Sequence, residues 1–251
     1  MNYLTPSALA ARAPAAQPLG KNDPGLIDTA AFIRFIEREL GHLPVAAIQG
    51  RPHSDVEKKQ HLAKRERQGR HLIVCTDHRG AATILLNSHT VRRKAWIAAG
   101  FYRGSTDRPL LFVGAAVPLR RWRGFRPAIE ELERYRPAVA NARKLMVQHT
   151  LTSRSLDQLA EKISDTAYLP DHKPIAPEHL ITAAPPGANL WETMFRMLGK
   201  IVDGNLPAAN PEGRKVKPVR GPDALMHAGN AVFNAGAELL GCMALPTYRK
   251  T

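Results

Sequence analysis

His71-Leu72-Ile73-Val74-Cys75-Thr76, then Asp77-His78-Arg79-Gly80, then Ala82-Thr83-Ile84-Leu85-Leu86-Asn87: this is the stretch whose reading decides the fold. The first and last segments are apolar and rich in β-branched residues, and each has the length of a strand. The four residues between them combine an Asp with a Gly, a combination that favours a tight turn. The stretch therefore reads as a β-hairpin. Upstream, Leu43 to Gln49 is a short apolar run and a further strand. Downstream, Trp96 to Tyr102 and Leu110 to Val117 are two more.

Helices flank these strands. Phe32, Ile33, Phe35, Ile36 and Leu40 recur at helical spacing behind Asp28, an N-cap type, and Gly41 is a natural stop. This predicts a helix from about 29 to 40. After Phe125, Ile129, Leu132, Tyr135, Val139, Leu145 and Met146 predict helices broken near Pro137. Ser155 and Gln158 have capping-box spacing and open a helix to about Ala167. Pro170 to Pro186 is a Pro-rich connection. Leu190 to Val202 is an amphipathic helix, Gly204 to Gly221 a basic Pro/Gly-rich loop, and Pro222 suits the first turn of a last helix to about Met243. Helix, strands, then helices means α+β: a small, mostly antiparallel sheet with an N-terminal helix and a helical C-terminal half. The expected organisation is an Ala/Pro-rich flexible leader over 1–27, one α+β domain over 28–245 with its helical half from about 125, and a frayed tail over 246–251.

Charge points to the partner. The chain of 251 residues carries 36 Lys and Arg against 22 Asp and Glu, a net charge of +14. Such an excess attracts polyphosphates. A membrane is not the expected partner, because no apolar run approaches the roughly 20 residues that span a bilayer. No secretory signal is recognisable and there are only two cysteines, Cys75 and Cys242, so the expected compartment is the reducing cytoplasm.

The positive charge is concentrated between Val91 and Arg126, where Arg92, Arg93, Lys94, Arg103, Arg108, Arg120, Arg121, Arg123 and Arg126 face Asp107 alone. Arginine bonds phosphate bidentately and stacks on bases. Trp96, Phe101, Tyr102, Trp122 and Phe125 are interleaved with these cations, the combination used to hold single strands. The core competes for the same aromatics. Arg92, Arg93, Lys94, Arg103, Arg120, Arg121 and Arg123 are the expected phosphate ligands, and Trp96, Tyr102 and Trp122 the expected stacking residues. A second patch, Arg214, Lys215, Lys217 and Arg220, lies in the Pro/Gly-rich loop and is expected to close over the strand. A third, Lys58 to Arg70, is diluted by acids.

Chemistry beyond binding has little footing. The sequence has no Walker lysine loop, Gly-x-Ser-x-Gly elbow or His-Glu-x-x-His pair. His71, Cys75 and His78 have partial metal-ligand spacing, but paired Cys-x-x-Cys knuckles are absent. No catalytic residue, metal or cofactor is expected, although His78 or His89 has the type needed for a metal-free ribonuclease.

Ile84-Leu85-Leu86-Asn87-Ser88-His89 resembles a phage- and plasmid-borne family known as domain of unknown function nine-three-two, which typically shows Leu-Asn-Ser-His-Asp-Gly followed by an aromatic Gly-Phe-Phe-Arg-like strand. Gly100-Phe101-Tyr102-Arg103 stands where that strand would be. The resemblance covers about residues 28–240. Thr90-Val91 replaces the usual Asp-Gly, and Gly104-Ser105-Thr106-Asp107 replaces Cys-Ser-Asn-Gly. It implies a place among phage replication and recombination proteins, some of which are distantly similar to single-strand annealing recombinases.

The leading expectation is a protein that binds single-stranded nucleic acid, DNA before RNA, in phage or plasmid recombination. A homo-oligomer or a subunit of a nucleoprotein complex is compatible with such a surface. Two alternatives share the basic composition: a CRISPR-associated or RNA-processing protein that binds guide RNA, and a phage-encoded inhibitor of a host complex.

Overall fold

A computed structural model describes residues 2–4, 29–49, 70–88, 94–104, 108–119, 125–168, 174–182, 187–209, 215–219 and 221–249. Strands β1 (Asn2–Leu4), β2 (Leu43–Gln49), β3 (Arg70–Thr76), β4 (Ala81–Ser88), β5 (Ala95–Gly104) and β6 (Pro109–Leu119) form one antiparallel sheet in the order β1-β2-β3-β4-β5-β6. Each strand pairs with its neighbour in sequence, so the sheet is a meander. The hairpin read from the sequence is β3–β4, with Leu72 opposite Leu86 and Val74 opposite Ile84. Its turn is fixed by the Asp77 carboxylate, which accepts from the backbone N–H groups of Arg79 and Ala81 at 2.8 Å.

Helix α1 (Thr29–Leu40) precedes β2, as predicted. Among the described residues six helices follow β6: α2 (Arg126–Glu133), α3 (Arg136–Gln148), α4 (Ser153–Thr166), α5 (Pro177–Ile181), α6 (Leu190–Asp203) and α7 (Pro222–Leu239). The chain is thus α+β. Pro137 stands at the start of α3, where its missing N–H costs nothing, and so it separates α2 from α3 rather than breaking one helix. Residues His71 to Thr76 and Ala82 to Asn87 are consecutively buried. Successive side chains on a strand point to opposite faces, so the sheet is covered on both. Helix α1 packs on β2 and β3, α2 on β5 and β6, and α7 along β6.

The free edge of β6 is closed rather than exposed. Gly229 of α7 sits so near β6 that a Cβ there would lie 2.0 Å from the Leu111 carbonyl oxygen. The Asn230 side-chain amide donates to the Val113 carbonyl at 2.9 Å, and its own oxygen accepts from the Tyr248 N–H at 3.2 Å. Ala116 N–H donates to the Pro246 carbonyl at 2.9 Å. The Val113 carbonyl and Ala116 N–H, which a bare edge would offer to another strand, are thereby bonded, and the Leu111 carbonyl is covered by α7.

Four expectations are corrected. The leader contributes β1, which pairs Asn2 with Gln49 and Leu4 with Ala47. The tail from 246 is not frayed as far as Arg249: Tyr248 is buried, donates its hydroxyl to Asp223 and packs edge-on against Trp96 at 5.4 Å. The last helix stops at Leu239, short of Met243, and Cys242 N–H returns to the Ala237 carbonyl. Helix α4 is capped one residue before its start by Thr152, whose side chain accepts from Ser155 N–H while the Ser155 hydroxyl meets Thr152 N–H. Ser155 is therefore the third residue inside the helix, not its cap. The short helix α5 adds structure to the Pro-rich connection, with Pro177 at its first turn.

Candidate nucleic-acid interface

Helix α6 buries ten of its fourteen residues. Glu192, Arg196, Lys200 and Asp203 are among the four left out of that core, and they recur at steps of four, four and three. That spacing is one face of a helix, so α6 shows solvent a single charged line. Asn189 anchors its start by accepting from Glu192 N–H at 2.9 Å. Opposite this line stands the end of the β5–β6 hairpin, with Arg103 on β5 and Arg108 just before β6. Arg103, Arg108, Leu110, Glu192, Phe195, Arg196, Gly199 and Lys200 enclose an open cleft of about 460 Å³.

Four cations line this cleft, and two of them are neutralised. One Arg103 guanidinium nitrogen reaches both Glu192 carboxylate oxygens, at 2.9 and 2.7 Å, and the guanidinium lies 5.4 Å from the Phe195 ring centre. Arg108 grips Asp203 with both ends of its fork, one bond measuring 2.9 Å. Gly199 makes room for this: a Cβ there would sit 2.9 Å from an Arg108 nitrogen. Arg196 is exposed and, among the described residues, has no acid partner. Lys200 donates to the His179 carbonyl and to the Thr182 hydroxyl. Both acceptors are neutral, so the ammonium is held in place without losing its charge. Burial pushes its pKa below the ordinary lysine value.

The basic loop docks at the same end of α6. Gly204 ends the helix with φ +61°, and a Cβ on it would lie 2.5 Å from Pro218 N. Asn205 N–H donates to Val216 O and Val216 N–H to Leu206 O, both at 2.8 Å. Val216 and Val219 are buried while Lys215 and Lys217 are exposed. Alternation of this kind pins the loop by its apolar residues and turns its lysines outward. Further along, the half-buried Arg143 of α3 lies 4.9 Å from the Phe101 ring centre and 5.4 Å from that of Trp191.

Among the described residues, the sequence-predicted ones do not all gather in the cleft. Arg103 is in the cleft, and Lys215 and Lys217 are exposed on the loop that meets the chain just after α6. Lys94 is exposed next to the Ala95–Leu119 pair, at the other end of β5 from Arg103. Arg92, Arg93, Arg120, Arg121, Trp122, Arg123, Arg214 and Arg220 lie outside the described residues. Trp96 is corrected: it is 6% exposed, wedged against Tyr248, and offers no face to a base. Tyr102 is half-buried against the core, which raises its hydroxyl pKa. Arg108, read as part of the basic block but not singled out as a ligand, is a cleft residue. Arg196 and Lys200 were not anticipated at all; the signal was their four-residue spacing on an otherwise apolar helix.

The proposed metal ligands are also placed. His71 is buried and its Nε2 meets the Thr29 hydroxyl at 2.8 Å. Cys75 is buried, with its thiol pushed up to about 12 by desolvation. Among the described residues no three His, Cys, Asp or Glu side chains gather as a metal would need, and no helix is long and apolar enough to cross a membrane. No family model, no curated protein and no solved structure matches the chain.

Proposed function

We propose that the protein binds single-stranded nucleic acid, and that the cleft between α6 and the β5–β6 hairpin is where the strand is held. The observation that carries this reading is the pair Arg196 and Lys200, two cations one helical turn apart with no acid partner among the described residues, set in a cleft whose other wall is Arg103 and Arg108. Its volume is that of a site for one small ligand, which suits one or two nucleotides and not the breadth of a duplex. Lys215 and Lys217 continue the positive surface beyond the mouth, and the net charge of +14 supplies long-range attraction. Phe195 is buried beneath Arg103, so recognition rests on phosphate contacts and is tolerant of sequence. A role in phage or plasmid recombination accords with the resemblance at residues 84–103, and DNA is the first substrate to try.

Fluorescence anisotropy with a 30-nucleotide single-stranded DNA, the matching RNA and the duplex tests the reading. The expected result is tight, salt-sensitive binding to a single strand over duplex, weakened by Arg196→Glu with Lys217→Glu. Absence of binding to all three at low salt refutes it.

A further inference from the structure

The cleft is a short site, not a stretch of continuous groove. Glu192 and Asp203 stand eleven residues apart on α6, which at the helical rise is about 16 Å. They bracket Arg196 and Lys200. A strand running along the helix with its phosphodiesters against the cations would pass a carboxylate at each end. Each carboxylate is masked by an arginine, but the masked pairs carry no net attraction for another phosphate. Among the described residues, attraction is therefore concentrated on two unmasked cations within one helical turn.

Two positive charges at one spot match one kind of phosphate better than another. A phosphodiester carries a single negative charge. A phosphate monoester carries about −1.5 to −2 at neutral pH and offers three acceptor oxygens. Lys200 spends two of its three N–H groups on His179 and Thr182, which leaves one donor on an ammonium fixed in direction. Arg196 supplies a guanidinium fork that has no acid partner among the described residues. Lys200 is half-buried, which lowers its pKa below the ordinary lysine value, and a dianion beside it opposes that shift.

From this geometry we infer that the cleft seats a phosphate monoester: the terminal phosphate of a strand, with the chain leading out over Lys215 and Lys217. The inference rests on the nucleic-acid reading for the identity of its ligand, and a free nucleoside monophosphate is the other source of the same group.

The experiment compares 30-nucleotide single strands of one sequence bearing a 5′-phosphate, a 3′-phosphate or neither, with the full chain and with Arg196→Gln. Arg196 is exposed, so this variant keeps the fold; thermal unfolding checks that it does. The expected result is about tenfold tighter binding of one phosphorylated strand, the lower range of a single charge-assisted bond, and loss of that preference in Arg196→Gln. Adenosine monophosphate is then added as competitor. Displacement of the strand by it at micromolar concentration supports the monoester site with a free nucleotide as source, and preference without displacement supports it with the strand end as source. Equal binding of all three strands, weakened together by Arg196→Gln, overturns the monoester site and leaves strand binding intact. A phosphate preference that survives Arg196→Gln also overturns it, because the end is then read elsewhere. If no strand binds but adenosine monophosphate does, in an Arg196-dependent way, the cleft reading stands and the nucleic-acid reading falls.

Discussion

Removing the two acids that mask the cleft should strengthen binding, and by an amount the structure sets. Arg196 and Lys200 in the cleft, and Lys215 and Lys217 on the loop that follows α6, are cations without an acid partner among the described residues, and the proposed strand touches all four. Four phosphate contacts predict a slope of log K against log salt of about −2.8 for a single strand. The double variant Glu192→Gln, Asp203→Asn frees Arg103 and Arg108 and raises the count to six, with a slope of about −4.2. At 50 mM salt relative to 200 mM, the extra slope is about a sevenfold gain over the wild-type salt effect. Stability should hardly change. Both ion pairs are about half exposed, and such pairs contribute about 0–1 kcal/mol each. Loss of Glu192 from the first turn of α6 removes a favourable dipole interaction, while loss of Asp203 from its last turn removes an unfavourable one. Anisotropy titrations at four salt concentrations measure the slope, and urea unfolding checks the fold. A slope unchanged within error, in a folded protein, refutes the claim that Arg103 and Arg108 are masked ligands of the strand.

Three further outcomes follow from other parts of the molecule. Gly229→Ala gains helix propensity of up to about 1 kcal/mol, but it places a Cβ 2.0 Å from a backbone oxygen that cannot swing aside, so a net loss of about 1–3 kcal/mol is expected in urea unfolding; a rise in stability would show that α7 does not lie on β6 so closely. His42 is buried, and desolvation first, then the Arg136 charge, lower its pKa below the ordinary 6.5; Asp77 and Glu133 oppose them. The unfolded chain takes up that proton below pH 6.5 and the folded one does not, so stability is full above 6.5 and declines as pH falls toward the folded value. The urea midpoint of His42→Gln should decline less between pH 7 and pH 5 than that of wild type, and parallel curves would exclude the effect. Cys75, buried with a thiol near 12, should stay unmodified by maleimide until the protein unfolds, as intact-mass analysis would show; labelling at the rate of a free thiol would contradict its burial.

The sheet was legible because its signals are local. Residues 71–87 carry two β-rich runs around an Asp/Gly turn, and the Asp77 side chain closes that turn as such residues do. Helix α1 was legible from the period of Phe32 and Ile36, both fully buried. Features that depend on distant partners were not. Thr152 and Ser155 are both hydroxyl residues with cap spacing, and only the backbone geometry shows which is outside the helix. Trp96 reads equally as a stacking platform or as core, and it is Tyr248, more than 150 residues away, that settles it as core. Arg196 and Lys200 sit singly among apolar neighbours and form no charge run, so a search for clusters of basic residues passes over them. Their importance arises from Arg103 and Arg108, which the tertiary fold alone brings opposite.

The polar network at His42 shows the same dependence. Arg136 donates to the Thr83 hydroxyl at 2.6 Å, so the hydroxyl hydrogen is left for His42 Nδ1, 3.1 Å away. Helix α3, strand β4 and the turn between α1 and β2 meet at one threonine, the third residue of β4, whose sequence context says only that it belongs to a strand.

The closure of β6 also has a consequence for how the protein is made. Strand β6 is complete at Leu119, but the groups that occupy its outer edge belong to Gly229, Asn230 and Pro246. A ribosome adding about 5–20 residues per second needs roughly 6 to 25 seconds to travel from the strand to Pro246. During that interval the nascent chain presents an apolar β edge with its hydrogen-bonding groups free. Neighbouring nascent chains on one polysome would each carry the same open edge, so slow translation of the second half, or its truncation, should send the product into aggregates even though every strand of the sheet is already present.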